Sequence, residues 1–221
     1  IGFVHANLQL LDEYIGKLVD ASTTGDEARA TKARDAITKL LTRSREGTER
    51  VKQIVMDLRT FSRTDQAELS NADLHEELER TIGLMEPRLK NGIVVERDYG
   101  ELPQVRCYPG QLNQVFLNLL MNACDALEGG GTITIRTGRG DLGVLLEFSD
   151  DGPGIPEEVL SRIFDPFFTT KPVGVGTGLG LSLSHGIIEN HGGRFTAEST
   201  PGRGATFRIE LPLDATPPLE E

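Results

Sequence analysis

Residues 118–126 read Asn118-Leu119-Leu120-Met121-Asn122-Ala123-Cys124-Asp125-Ala126. Asn118, Asn122 and Asp125 fall four and three apart, so a helix sets them in one stripe. Leu117, Leu120, Met121 and Cys124 take the other faces. A polar stripe on an otherwise apolar helix is costly to bury unless something binds it. Amide oxygens with a carboxylate suit a hard cation such as Mg2+, held jointly with phosphates. Taken alone, the stripe reads equally well as a solvated helix face.

Three further clusters follow toward the C-terminus. Asp150-Asp151-Gly152-Pro153-Gly154-Ile155 comes after the strand-like Val144–Phe148. A carboxylate at a strand end can accept a hydrogen bond from an exocyclic amine such as that of adenine, and the glycines permit a tight turn. Alone this signal is weak, because Asp-Gly turns are common. Phe164-Asp165-Pro166-Phe167-Phe168-Thr169-Thr170-Lys171 holds three of the nine phenylalanines. They read as loop anchors, while Lys171 is either within reach of a phosphate or simply solvated. Gly174-Val175-Gly176-Thr177-Gly178-Leu179-Gly180-Leu181 then runs into a helix. Its unhindered backbone N–H groups stand at a positive helix end, where phosphates bind. It opens no βαβ unit and lacks the Gly-Lys-Ser/Thr of a P-loop, so both of those nucleotide motifs are excluded.

Around these clusters the pattern is mixed. Helical periodicity covers 74–88, 109–128 and 178–191, and strand-like alternation covers 93–99, 132–137, 144–148, 194–199 and 205–211. This order predicts an α+β chain whose residues 66–214 form an α/β sandwich with a largely antiparallel sheet. Residues 215–221, rich in proline and acid, read as a tail.

Residues 1–65 differ. Val4, Leu8, Leu11, Ile15 and Leu18 form a heptad seam on a helix ending near Ser22. Ser22-Thr23-Thr24-Gly25-Asp26 has turn chemistry, and Thr24 with Glu27 suggests a capping box for the next helix. That helix runs from about Asp26 to Arg63 on a seam of Ile37, Leu40, Ser44, Gly47, Val51, Ile54, Leu58 and Phe61. A short link between helices predicts an antiparallel hairpin. The second arm outruns the first by roughly 15 residues, or roughly 22 Å of apolar seam. A single hairpin has too little core to stand alone, so a homodimer through residues 1–65, forming a four-helix bundle, is expected.

The four clusters, in this order, resemble the asparagine, first glycine, phenylalanine and second glycine boxes of the ATP-binding domain of histidine protein kinases from two-component systems. That superfamily also includes gyrase, a heat-shock chaperone and a mismatch-repair ATPase. The hairpin is similar to the family's dimerisation and phosphotransfer domain. The resemblance implies ATP or ADP with Mg2+ as cofactors, Asn122 as the metal ligand, and Asn118 one turn before it near the phosphates. It implies Asp150 as reader of the adenine amine, with Gly152, Gly154 and Ile155 shaping the pocket. Gly174, Gly176, Thr177, Gly178, Leu179 and Gly180 would contact phosphate and hinge a lid. Thr206, after Gly202-Arg203-Gly204, would support Asp150 through water. Asn122 and Lys171 would be the catalytic pair. Asp125, grouped with the nucleotide contacts, stands where relatives have a basic residue, and Ala126 where many have an aromatic. Lys171 would then supply the missing charge. Asn118 occupies the place of the water-activating glutamate of gyrase-like ATPases, and an amide is no general base at neutral pH. The implied reaction is transfer of the γ-phosphate to a histidine, for relay to an aspartate on a response-regulator receiver domain.

None of the four histidines, His5, His75, His185 and His191, sits in the family's acceptor motif of His-Glu/Asp-x-x-Asn/Thr-Pro. The acceptor is expected just upstream of Ile1, and the chain alone is expected not to phosphorylate itself. A serine-directed kinase of the same superfamily would need no such histidine. A scaffold with a degenerate pocket is a third reading, which the intact boxes oppose. The net charge of 23 − 34 = −11 disfavours nucleic acid and anionic lipid. With no apolar run of about 18 residues, no membrane contact is expected from this stretch. The two cysteines, Cys107 and Cys124, read as reduced packing residues of a cytoplasmic protein.

Overall fold

The computed structural model describes residues 2–62, 68–90, 92–171 and 176–214. Side chains at 2–6, 8, 9, 45, 46 and 49–62 fall outside that description, and with them the seam positions Val4, Leu8, Val51, Ile54, Leu58 and Phe61. The chain divides into two compact units.

The first unit is helical, with α1 (Gly2–Thr24) and α2 (Glu27–Ser62). Gly25 adopts φ 70°, and the Asp26 N–H donates to the Ala21 carbonyl at 3.0 Å. This left-handed cap satisfies the last carbonyls of α1. The expected capping box does not form. The Thr24 hydroxyl turns back to Asp20 O at 2.9 Å, and Asp26 Oδ1 instead accepts the Arg29 N–H at 3.0 Å. Asparagine at the other end of α1 confirms the antiparallel course: Asn7 Nδ2 donates to Ser44 Oγ at 3.2 Å. Asn7, Ala21 and Ala33 are buried, whereas Leu10, Ile15, Val19 and Leu41 stay exposed.

The second unit is the sandwich. Its elements are β1 (Ser70–Ala72), α3 (Leu74–Leu89), β2 (Ile93–Tyr99), β3 (Val105–Cys107), α4 (Pro109–Ala126), β4 (Gly131–Arg139), β5 (Gly143–Asp150), α5 (Glu157–Leu160), α6 (Gly180–Asn190), β6 (Arg194–Ser199) and β7 (Ala205–Pro212). Five strands pair in the order β2-β4-β5-β7-β6, parallel only between β2 and β4. A small sheet, β1 with β3, was not expected, because three-residue strands carry no readable period.

Strict alternation sets the layers. Val144, Leu146 and Phe148 on β5, and Ala205, Phe207, Ile209 and Leu211 on β7, are buried toward the helices. The opposite face carries an in-register row of Asp98, Arg136, Glu147 and Arg208. Ion pairs join Arg136 to Asp98 at 3.2 Å and Arg208 to Glu147 at 3.1 Å, as suits a sheet face left to water. α4 lies between α3 and α6 over β5, and buries Leu112, Val115, Phe116, Leu119, Leu120, Ala123 and Cys124. That three-and-four spacing leaves the asparagine stripe at the edge of the core.

Cys107 and Cys124 are free and buried, and burial pushes the Cys107 thiol up to about 11. Among the described residues no helix is long and apolar enough to cross a membrane.

Candidate nucleotide site

Asp150 ends β5 and shares its side of the sheet with Phe148, which packs against Phe116 of α4. The carboxylate therefore faces the C-terminal end of α4. Its Oδ1 accepts the Gly152 N–H at 3.0 Å, and the Ala205 backbone N–H lies near enough to act on the same carboxylate. Burial pushes its pKa up, the two N–H donors pull it down, and the neighbouring Asp151 raises it further. Gly152 stands in the remaining space: a Cβ there would lie 2.8 Å from Asp150 Oδ1 and 3.4 Å from Ala126 Cβ. Gly154 abuts Thr200 O, and the Ile155 N–H donates to Ser199 Oγ at 2.7 Å. Asp151 points away from this cradle and takes the Thr132 N–H at 2.7 Å, so the second aspartate holds β4.

The asparagine stripe divides into three roles. Asn118 Nδ2 donates to Gly180 O at 3.1 Å and to Ser184 Oγ at 3.2 Å, tying α4 to the first turn of α6. Asn122 is half-buried, and its side chain makes no hydrogen bond to the described residues. Asp125 is exposed and pairs with Arg88 of α3 at 3.1 Å. The stripe is neither uniformly solvated nor uniformly buried, and its middle member alone keeps its amide uncommitted.

α6 begins without a side-chain cap at Leu179. Its first N–H groups thus stand unpartnered by any capping side chain, as an anion requires. Gly178 adopts φ 67°, and a Cβ there would lie 2.4 Å from the Phe167 carbonyl carbon. Phe167 has φ 66°, a strained conformation for a non-glycine residue, and its N–H donates to Gly178 O at 2.9 Å. The ends of the segment between them are thereby pinned together. Of the three phenylalanines expected to anchor the loop, only Phe164 does so, packing on Phe195 at 5.0 Å and His185 at 4.9 Å. Phe168 lies under the Arg162 guanidinium at 4.4 Å, and Phe167 is 74% exposed. Lys171, Gly176 and Thr177 group with the helical unit, and Gly174 lies outside the described residues.

Thr206 is a correction. It pairs with Ser149, their hydroxyls 2.9 Å apart, on the sheet face opposite Asp150. Successive strand residues face opposite ways, so the position beside Asp150 belongs to Ala205. The sequence reading also passed over Ser199 and His191. His191 is fully buried: its Nδ1–H donates to Ile187 O at 2.7 Å and its Nε2 accepts the Tyr108 N–H at 3.2 Å.

The residues fit a nucleotide with magnesium. No cluster of His, Cys, Asp or Glu among the described residues is suited to holding a metal by itself. Mg2+ needs none where one protein oxygen and phosphates share it, and Asn122 has an amide oxygen to offer.

Residues 107–215 match the family model for the histidine kinase-, DNA gyrase B- and HSP90-like ATPases. The sensor kinase CckA of Brucella abortus is 39% identical over 184 residues, covering 76% of this chain and 20% of that kinase. The solved catalytic domain of histidine kinase ThkA, in a nucleotide-free form, superposes with a TM-score of 0.59 at 35% identity, covering 67% of this chain and 97% of that domain. ThkA in complex with the response regulator TrrA gives a TM-score of 0.65 at 26% identity, covering 98% of this chain and 60% of that one. The chain belongs to the histidine kinase, gyrase and HSP90-like ATPase family. Within it, the sandwich is the ATP-binding domain of a two-component sensor histidine kinase. The chain spans about a fifth of the length of CckA.

Proposed function

We propose that this chain binds Mg2+-ATP at Asp150, Asn122 and the start of α6, and serves transfer of the γ-phosphate to a histidine for relay to a response-regulator aspartate. The observation that carries the reading is the Asp150 carboxylate, half-buried, held by backbone N–H groups and facing the end of α4 that bears Asn122. Asp150 accepts from the adenine amine, Asn122 and phosphate oxygens share the magnesium, and the uncapped α6 start receives phosphate. Magnesium held by Asn122 would supply charge to offset that of the phosphates, and the protein's share is positioning.

Asn118 favours transfer over hydrolysis. Its amide is committed to Gly180 and Ser184, and it has no basic lone pair to take a proton from water. ThkA was solved with a response regulator, which supports a receiver domain as partner. A homodimer through residues 1–65 completes the reading.

Calorimetry with Mg2+-ADP tests the reading. Wild type should bind, and Asp150→Asn should bind more weakly by about 1.5–3 kcal/mol, the worth of a hydrogen bond to a charged group. Equal affinity would remove Asp150 from the site. Incubated alone with labelled ATP, the chain should acquire no phosphohistidine and hydrolyse ATP slowly.

A further inference from the structure

Ser199 closes β6 and lies outside the four boxes, yet its hydroxyl joins the two loops that enclose Asp150. It accepts the Ile155 N–H at 2.7 Å and donates to the Gly204 carbonyl oxygen at 2.7 Å. Gly204, at φ 80°, is pressed onto Asp150: a Cβ there would lie 1.8 Å from Asp150 O. The next N–H along, that of Ala205, lies near enough to the Asp150 carboxylate to draw its pKa down. The Gly204 carbonyl and the Ala205 N–H belong to one planar trans peptide, so they point in opposite directions and turn as a unit. Anchoring the carbonyl on the Ser199 side aims the N–H on the Asp150 side. The same hydroxyl also holds Ile155, which follows the Asp-Gly turn.

We propose that Ser199 is a positioning residue for adenine recognition, setting the Asp150 carboxylate through the Gly204–Ala205 peptide and the pocket loop through the Ile155 amide. The inference rests on the reading of Asp150 as the group that meets adenine. Only a hydroxyl fits, because the side chain must donate to a carbonyl and accept from an N–H at once. Cysteine has nearly the same shape and performs both tasks poorly. Threonine keeps the hydroxyl.

The test uses the whole chain as wild type, Ser199→Ala, Ser199→Cys and Ser199→Thr. Calorimetry gives the affinity of each for Mg2+-ADP and for Mg2+-inosine diphosphate, whose base has a carbonyl in place of the amine. Thermal unfolding without nucleotide reports the fold. Ser199→Ala and Ser199→Cys should bind ADP roughly five- to tenfold more weakly and lose much of the preference for ADP over inosine diphosphate. Ser199→Thr should keep both. An equal loss for the two nucleotides would make Ser199 a packing residue and overturn the proposal, as would an unchanged preference in the cysteine variant. If wild type itself shows no preference, the reading of Asp150 fails, and that result is separate from any effect of Ser199.

Discussion

His191 is held in one tautomer inside this fold. Its Nε2 faces the Tyr108 N–H, so a proton on that nitrogen would set donor against donor. Burial lowers its pKa, and only the bond to Ile187 O works the other way. The unfolded chain takes up the proton near the ordinary value of about 6.5, and the folded chain resists it. The contribution to stability is therefore whole above that value and shrinks as pH falls. Urea unfolding should show wild type losing up to about 1.4 kcal/mol per pH unit below about 6.5. His191→Gln should be less stable at neutral pH but flat across that interval, and a parallel loss in both would assign the effect elsewhere. Asp150 has the opposite sign. Its folded pKa is raised, so its ionised form costs stability once pH rises through that value. At neutral pH, Asp150→Asn should unfold at a higher temperature than wild type in the absence of nucleotide, while binding ADP more weakly. A residue that stabilised the empty fold would do the reverse.

Among the elements, α6 carries the clearest division of labour. Asn118 grips its first turn and His191 ties its far end to the start of α4, so both ends are fixed to one neighbouring helix. Its first N–H groups are left without a side-chain cap. A carboxylate placed there should oppose phosphate while leaving the base untouched. Leu179→Asp should thus weaken ADP roughly five- to thirtyfold and adenosine hardly at all, since one unfavourable charge near a helix end is worth on the order of 1–2 kcal/mol. Equal weakening of both ligands would move the phosphates away from α6. Elements of this length were legible because their burial has a period. The eight-residue β7 alternates along its length, and α4 repeats at three and four. Where legibility ended is equally physical. Thr206 was misplaced by one residue, which in a strand is a whole face. Ser199 and His191 act through partners 44 and 83 positions away, and no local pattern encodes such a pairing. The asparagine stripe was visible, but not that Asn118 would spend its amide on α6.

At the scale of the whole molecule, the helical unit is unfinished as a single chain. Leu10, Ile15, Val19 and Leu41 are exposed, Val19 at 58%. A second copy would cover such a surface. Sedimentation at roughly tens of micromolar should give a dimer, and Ile15→Glu with Val19→Glu a monomer that still binds ADP. A monomeric wild type would count against the dimer.

Phe167 and Gly178 meet backbone to backbone, so the chain leaves the sandwich and returns to it at one point. Closing a loop grows costlier only with the logarithm of its length, about 0.6 kcal/mol per doubling. The clasp, rather than the residues it carries, bears that cost. The join leaves no room for a side chain at position 178, so the meeting of these two backbones depends on a single glycine.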